Sequence, residues 1–468
     1  MGRRMDKKIN QKMGKKQKVG LILLGIIILY AAISIFFHYH YFIGTKINGY
    51  SCGFRSVSKT KQLVKEDVKE YKIKIKERYK KKEVISSSQI QLKFKDDGKL
   101  ENIKKEQKGY AWITALFKKY HYEKGMTLTV DETKFDRIYE NLNAFCKDLV
   151  VAPVDAHSQY DEQKNTYTIV KEIYGNTVKK KKFKNVLKEA VLRLQSSVDI
   201  DGEDCYYNPA YKEDTKEVVE ANQTLNQYIK TQITYDFDDR TEKLAGKRIH
   251  NWLYETKKHE VKIHKEKVEK YIKKIANKYD TVGVKRHFQS ICGNDVTVSG
   301  GTYGWKIDQE AETKKLIKLI KKGTVKKRKP EYAHIAKSRK KFDIGNTYIE
   351  ISLSDQHMWF YKNGKTFVST DVVTGDISKG RGTPTGVYYI LYKTTDYYLT
   401  GQGYVSHADY WLPFMQKGVG IHDSSWRSSY GGSIFTYDGS HGCVNTPLSA
   451  VRKIYNNIES TYPVVVHW

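Results

Sequence analysis

Residues 437–447 read YDGSHGCVNTP, a cysteine two positions after a histidine, among glycine turns and just ahead of a helix-like segment. A neutral thiol is a poor nucleophile with an ordinary pKa of about 8.5, so acyl chemistry at Cys443 needs a neighbouring base or positive charge. Two histidines are close in sequence: His441 in the same loop and His422 in KGVGIHDSS. His441 either reaches the sulfur or lines the site beside it, while His422 arrives from a neighbouring strand or loop. Gly439 and Gly442 admit backbone conformations closed to other residues. That suits N–H groups of Gly442 and Cys443 converging on an oxyanion. A helix starting near Pro447 would bring its positive end close to the sulfur and favour thiolate. The residue types leave three readings open: a structural cysteine, a zinc site of His422, His441 and Cys443 without a fourth ligand at useful spacing, and a cysteine nucleophile, which the surroundings favour.

The segments around this loop are short and alternating. TYIEISL, HMWFYKNGKTF, STDVVTG and GVYYIL read as strands, with Asn363-Gly364 as a hairpin turn. PLSAVRKIYNNI places Val451, Ile454, Tyr455 and Ile458 on one helical face. Residues 345–468 are therefore expected to form a mostly-β, sandwich-like domain with one helix packed on it. The basic segment KKGTVKKRKPEYAH leads into it, and 326–344 reads as a linker.

Upstream, the chain reads as two α+β modules, 45–210 and 211–325. QIQLKFKDDG from Gln89 and QITYDFDD from Gln232 both alternate apolar residues and then turn through paired aspartates. Each is followed by an amphipathic helix, with Phe135, Ile138, Tyr139 and Leu142 on one face in the first copy and Val268, Ile272 and Ile275 in the second. Tyr-Gly turns at Tyr174 and Tyr303 each open a further strand and helix, at a domain-sized offset.

The N-terminal run VGLILLGIIILYAAISIFF is uncharged and long enough to cross a hydrocarbon core as a helix. It continues into HYHYF, an aromatic cluster suited to the membrane interface, rather than into a signal-peptide cleavage site. Arg3, Arg4, Lys7, Lys8, Lys12, Lys15, Lys16 and Lys18 precede it, against only Lys46 and Arg55 just beyond it. The expected arrangement is a basic cytoplasmic tail over 1–18, a single span over 19–40, and everything later outside. That placement turns the formal charge of +30 toward anionic wall polymers and lipid head groups and away from nucleic acid. The five cysteines form no CxxC and no regular spacing, so neither a zinc knuckle nor a disulfide framework is indicated, and the pairing of Cys52, Cys146, Cys205 and Cys292 is left open.

The stretch GVGIHDSSWRSSYGGSIFTYDGSHGCVN resembles the signature of the L,D-transpeptidases, the YkuD-like catalytic domain: a histidine, a spacer, then Ser/Thr-His-Gly-Cys and an Arg or Asn two places on. VVTGD, GTPTGVYYI and the closing YPVVVHW match as well, so the likeness covers about 345–468. Asn445 stands where many members carry Arg, which puts in doubt any role needing a cation there. KINGYSCGF, APVDAHSQYDEQKNTYTIVKEIYGNTV and TVSGGTYGWKID are similar to the peptidoglycan-binding repeats that precede such domains in some Gram-positive wall enzymes.

The resemblance implies a cysteine acyltransferase without cofactor or metal. Cys443 would be the nucleophile and His422 the base, with the backbone carbonyl of Asp423 orienting His422. His441 would shape the pocket, and the Gly442 and Cys443 N–H groups would hold the oxyanion. Trp411 and Tyr404 would serve as a lid or peptide platform, or simply pack in the core. The implied reaction passes a peptidoglycan stem peptide through a Cys443 thioester to an amine on a neighbouring stem, the 3-3 cross-link of wall biogenesis. Water as acceptor would make the enzyme an L,D-carboxypeptidase. A sortase would carry Thr before the cysteine, where Gly442 stands, and a non-catalytic wall-binding scaffold would have no need of the intact His/Cys pair.

Overall fold

The N-terminal apolar run folds as one helix, Lys15–Tyr39, and among the described residues it alone is long and apolar enough to cross a membrane. The computed structural model describes residues 14–290, 293, 295–340, 343–401 and 403–468. Most of the basic tail and Cys292 therefore lie outside the described residues. Cys52, Cys146, Cys205 and Cys443 are free thiols.

The chain divides into two compact units, residues 1–156 with 171–213, and residues 157–170 with 214–468. Residues 157–170, expected within a continuous first module, belong instead to the second unit. They form a hairpin, His157–Asp161 with Thr166–Val170, whose Thr166 Oγ1 and Tyr167 N–H donate to Asn226 Oδ1.

Both units contain the same α+β arrangement. In the first, Lys72–Lys76 pairs in parallel with Ser197–Asp199 and antiparallel with Lys82–Ser86. In the second, Gln232–Asp236 pairs in parallel with Val325–Arg328 and antiparallel with Thr241–Leu244. A helix precedes each central strand, Val57–Glu70 and Lys216–Ile229, and another precedes each parallel partner, Lys180–Leu192 and Gln309–Lys321. The counterpart of Gln232–Asp236 is thus KIKIK at Lys72–Lys76, with Ile73 and Ile75 fully buried, and not the segment from Gln89. Gln89 lies in a short helix, Ser87–Ile90, because Ser86 and Gln89 form a capping box there. Phe135, Tyr139 and Leu142 of the first unit and Val268, Ile272 and Ile275 of the second are buried as the helical periodicity predicts.

The segment 326–344 is not a free linker. Val325–Arg328 is a sheet strand, and Tyr332–His334 pairs with Lys306–Ile307. Asp343 makes a buried two-pronged ion pair with Arg286, and Arg339 stacks over Trp305 while donating to the Tyr279 carbonyl. Its basic charge, turn signal and proline suggested a connector, but the aromatic and acidic partners lie far away in sequence.

Residues 345–468 build two sheets around a common apolar core. The first has the order Lys365–Asp371, His357–Lys362, Tyr348–Ser352, Pro463–His467, Gly386–Tyr389; the second Thr394–Gly401, Tyr404–Met415, Val419–Asp423, Val444–Thr446. Two pairings are parallel: Tyr348–Ser352 with Pro463–His467, and Val419–Asp423 with Val444–Thr446. Helix Leu448–Asn457 buries Val451 and Ile454 in the same core as Ile349, Ile351, Ile421, Val444, Val464 and Val466.

Candidate active site

The parallel register of Val419–Asp423 and Val444–Thr446 sets the geometry. Ile421 pairs with Val444 and both point into the core, so His422 and Asn445, also paired, point to the opposite face. Cys443, one residue ahead of its strand, falls on the same side as Asn445 by alternation. His422 and Cys443 consequently line one cavity of about 350 Å³, together with Trp411, Trp426, His441 and Asn445.

His422 is only 2% exposed. Its Nδ1 lies 2.7 Å from the Asp423 carbonyl oxygen. A carbonyl only accepts, so Nδ1 carries the hydrogen and Nε2 keeps its lone pair. The ring sits between Trp411 and Trp426, at centroid distances of 5.8 and 5.9 Å, and burial lowers its pKa below the ordinary histidine value. The Asp423 carboxylate serves elsewhere: it accepts from the N–H groups of Asp409 and Tyr410 and ties the neighbouring strand down.

Cys443 is partly exposed, and its Sγ lies 3.4 Å from the Gly418 carbonyl. Burial pushes the thiol up to about 11, opposite to the direction expected from a nearby helix end. Desolvation of the sulfur is the largest cause, and the Gly420 N–H offsets it only in part. Burial thus favours the uncharged form of both the thiol and the imidazole.

The cysteine loop is held from below by two segments read only as supporting matches. Ser440 N–H donates to the Thr374 carbonyl, Asp376 N–H to the Ser440 carbonyl, and Val373 and Asn445 exchange backbone hydrogen bonds of 3.0 and 2.9 Å. Thr383 Oγ1 accepts from Gly375 N–H and donates to the Gly442 carbonyl. Gly439 packs so closely on Asp376 that a Cβ would lie 2.4 Å from its backbone. Gly442 has φ of 119°, open only to glycine without strain. Its N–H does not converge on an empty point, however. It donates to Ser440 Oγ at 3.0 Å, and Ser440 Oγ donates in turn to the Cys443 carbonyl at 2.6 Å. The oxyanion role expected of Gly442 is thus already occupied by a hydroxyl two residues back.

His441 is exposed at the rim and does not orient His422. Its Nε2 accepts from the Arg381 guanidinium at 2.5 Å and its ring stacks on Tyr404 at 4.6 Å. Burial, then the charge of Arg381, lowers its pKa. Arg381 places a cation beside His441, and Arg427 lines the cavity itself; sequence reasoning missed both, although Arg381 directly precedes GTPTG, which was the available signal. Trp426 was missed too. Trp411 is core rather than lid, 2% exposed and stacked on Tyr397, whereas Tyr404 sits at the mouth. Among the described residues, no group of three or more His, Cys, Asp or Glu side chains is arranged to hold a metal ion.

Residues 346–466 match the L,D-transpeptidase catalytic domain, and residues 214–327 match a peptidoglycan binding domain. A solved Enterococcus faecium L,D-transpeptidase, a cysteine-to-serine mutant, is 35% identical over 53% of this chain and 99% of its own, with a TM-score of 0.45. The E. faecium catalytic domain acylated by ertapenem is 44% identical over 26% of this chain and 96% of its own, with a TM-score of 0.24. An L,D-transpeptidase from Mycobacterium tuberculosis is 20% identical, covering 26% of this chain and 58% of its own, with a TM-score of 0.24. Comparison with curated proteins finds no match.

Proposed function

We propose that this chain, which belongs to the L,D-transpeptidase family, performs its acyl transfer through a thioester on Cys443 with His422 as the base. It is an enzyme whose partner is peptidoglycan, and a wall substrate fits an extracytoplasmic location. The observation that carries the proposal is the strand register that puts Cys443 and His422 on one face, with Nδ1 of His422 tied to the Asp423 carbonyl.

In the first half-reaction Nε2 of His422 takes the thiol proton as sulfur attacks the carbonyl after the third stem residue. The C–S bond forms, the carbonyl electrons move to oxygen, and the Cys443 N–H receives the oxyanion. Gly442 N–H joins only by leaving Ser440 Oγ. Collapse breaks the C–N bond, and the leaving amine departs with the proton from Nε2. In the second half-reaction an amine of a neighbouring stem gives its proton to Nε2, attacks the thioester, and restores the thiol. Arg381, held on His441 at the rim, is placed to meet a stem carboxylate.

The assignment extends to the rest of the chain. The 19–40 helix is proposed as a single membrane anchor with 1–18 in the cytoplasm. The two α+β regions, within 45–210 and 211–325, are proposed to hold the wall, the second being the one with the family match. The lysine excess is proposed to favour anionic wall polymers. Incubating the full chain with disaccharide-tetrapeptides and weighing the products tests the activity: a cross-linked dimer lacking one terminal residue is expected. Tripeptide alone would identify a carboxypeptidase, and unchanged substrate would overturn the reading.

Acylation by ertapenem, seen in the E. faecium catalytic domain, is the convenient probe of the protonation states. One adduct per chain is expected, on the peptide containing Cys443. With the thiol at about 11 and His422 below its ordinary value, the reactive neutral pair persists across the neutral range. The acylation rate should be flat there and fall only on acidification below the ordinary histidine pKa of about 6.5, as His422 takes up its proton. A rate rising in proportion to hydroxide from neutrality upward would instead assign attack to a pre-formed thiolate.

A further inference from the structure

The segment GYAWITAL, Gly109–Leu116, forms a run of 3₁₀ turns packed along the outer third of the anchor helix. Tyr30 Oη donates to the Tyr110 carbonyl at 2.5 Å, and Trp112 stacks near Tyr30 and Phe37 at 5.9 and 6.0 Å. The crossing is close because residue 109 is glycine: a Cβ there would lie 2.4 Å from the Ser34 carbonyl oxygen. Small residues at such crossings are what membrane helices use to approach one another.

The other side of this segment is bare and apolar. Tyr110 is 62% exposed, Ile113 45%, Leu116 55% and Phe117 89%. The lipid-type residues of the helix beside it, such as Ile26 and Leu29, are exposed to the same degree, 57% and 61%. Lysines stand at both ends of the segment, Lys105 and Lys108 before it and Lys118 and Lys119 after it. The backbone bonds within itself, and Thr114 Oγ1 donates to the Ala111 carbonyl, so few peptide groups need water.

We propose that residues 109–117 insert into the outer leaflet of the membrane beside the anchor, as a second, monotopic contact. The occupant of the bare face is lipid, for three reasons. The face is continuous with the lipid-facing surface of helix Lys15–Tyr39. Its partner residue Tyr30 lies seven positions inside Phe37, about 10 Å below the outer end of the apolar run. The lysines bracket the segment where head-group phosphates lie. The inference rests on the reading of 19–40 as a span.

The test uses the full chain in phosphatidylcholine–phosphatidylglycerol vesicles, in a Cys146→Ser, Cys292→Ser, Cys443→Ala background. Bimane is attached at one introduced cysteine: Phe117→Cys, Ile27→Cys in the anchor, or Phe367→Cys on the catalytic surface. Lipids carrying nitroxide on the upper acyl chain are expected to quench the first two strongly and the third not at all. Quenching at 27 but not at 117 overturns the inserted segment and leaves the anchor standing, including the case in which a second copy of the chain covers the face. Absence of quenching at both positions overturns the anchor itself. A membrane-impermeant maleimide should likewise label Phe367→Cys and spare Phe117→Cys.

Discussion

Cys443→Ala is expected to form no cross-linked muropeptide and no ertapenem adduct, while unfolding at the temperature of the parent. The first half of that outcome follows from the chemistry. No other thiol among the described residues lies in the cavity with His422, and alanine offers no electron pair to the stem carbonyl. The second half follows from the packing. Cys443 is partly exposed, and its sulfur would lose only weak contacts, with the Gly418 carbonyl and the Gly420 N–H. The loop is held by Ser440, Thr374, Thr383 and Asp376, none of which the substitution touches. A stability change under about 1 kcal/mol is therefore expected. Product mass and thermal melting of the two proteins decide the matter together. Cross-linking by the alanine protein above background would remove Cys443 from the reaction, and a collapsed melting curve would make the loss of activity uninformative.

His422→Ala should cost roughly 10²–10⁴-fold in acylation rate, the usual worth of a positioned base. The deficit should shrink at high pH, where hydroxide removes the thiol proton without help. His422 is buried between two tryptophans, so truncation also leaves a void. Added imidazole separates the two effects, because a small base entering the void restores rate without restoring stability. Asp423→Asn is the informative contrast. The group holding His422 is the backbone carbonyl, which asparagine retains, whereas the side chain holds the N–H groups of Asp409 and Tyr410. Its expected loss is in melting temperature rather than in rate. His441→Ala should be milder than His422→Ala, since His441 faces Arg381 and Tyr404. The reverse order in single-turnover acylation would transfer the base role to His441.

What could be read in advance was local. The alternating strands, the amphipathic helix at Leu448–Asn457, the apolar N-terminal run and the His-spacer-SHGC pattern are each written within a few dozen residues. KIKIK at Lys72–Lys76 was overlooked because three lysines mask two buried isoleucines, while the more apolar stretch from Gln89 drew attention and proved to be a capped turn followed by a short strand, Lys93–Lys95, of a separate sheet. Arg381 and His441 are 60 residues apart, and nothing in either neighbourhood announces the other. The direction of the Gly442 N–H depends on which way Ser440 turns its hydroxyl. The rise of the Cys443 pKa comes from burial by elements scattered through the domain, a tertiary quantity that spacing does not carry.

The strand Pro463–His467 fills the gap between Tyr348–Ser352 and Gly386–Tyr389, and its valines sit in the core on which the site rests. In chain order that strand follows Cys443, His422 and every other strand of the sheet. Until residues 463–467 emerge, the sheet has an open slot where its parallel partner belongs, and long-range pairing of this kind is slow to form. The core on which the site rests is therefore completed only when the last strand docks. A chain cut short before residue 463 is expected to carry the cysteine on an incomplete core and to form little or no ertapenem adduct.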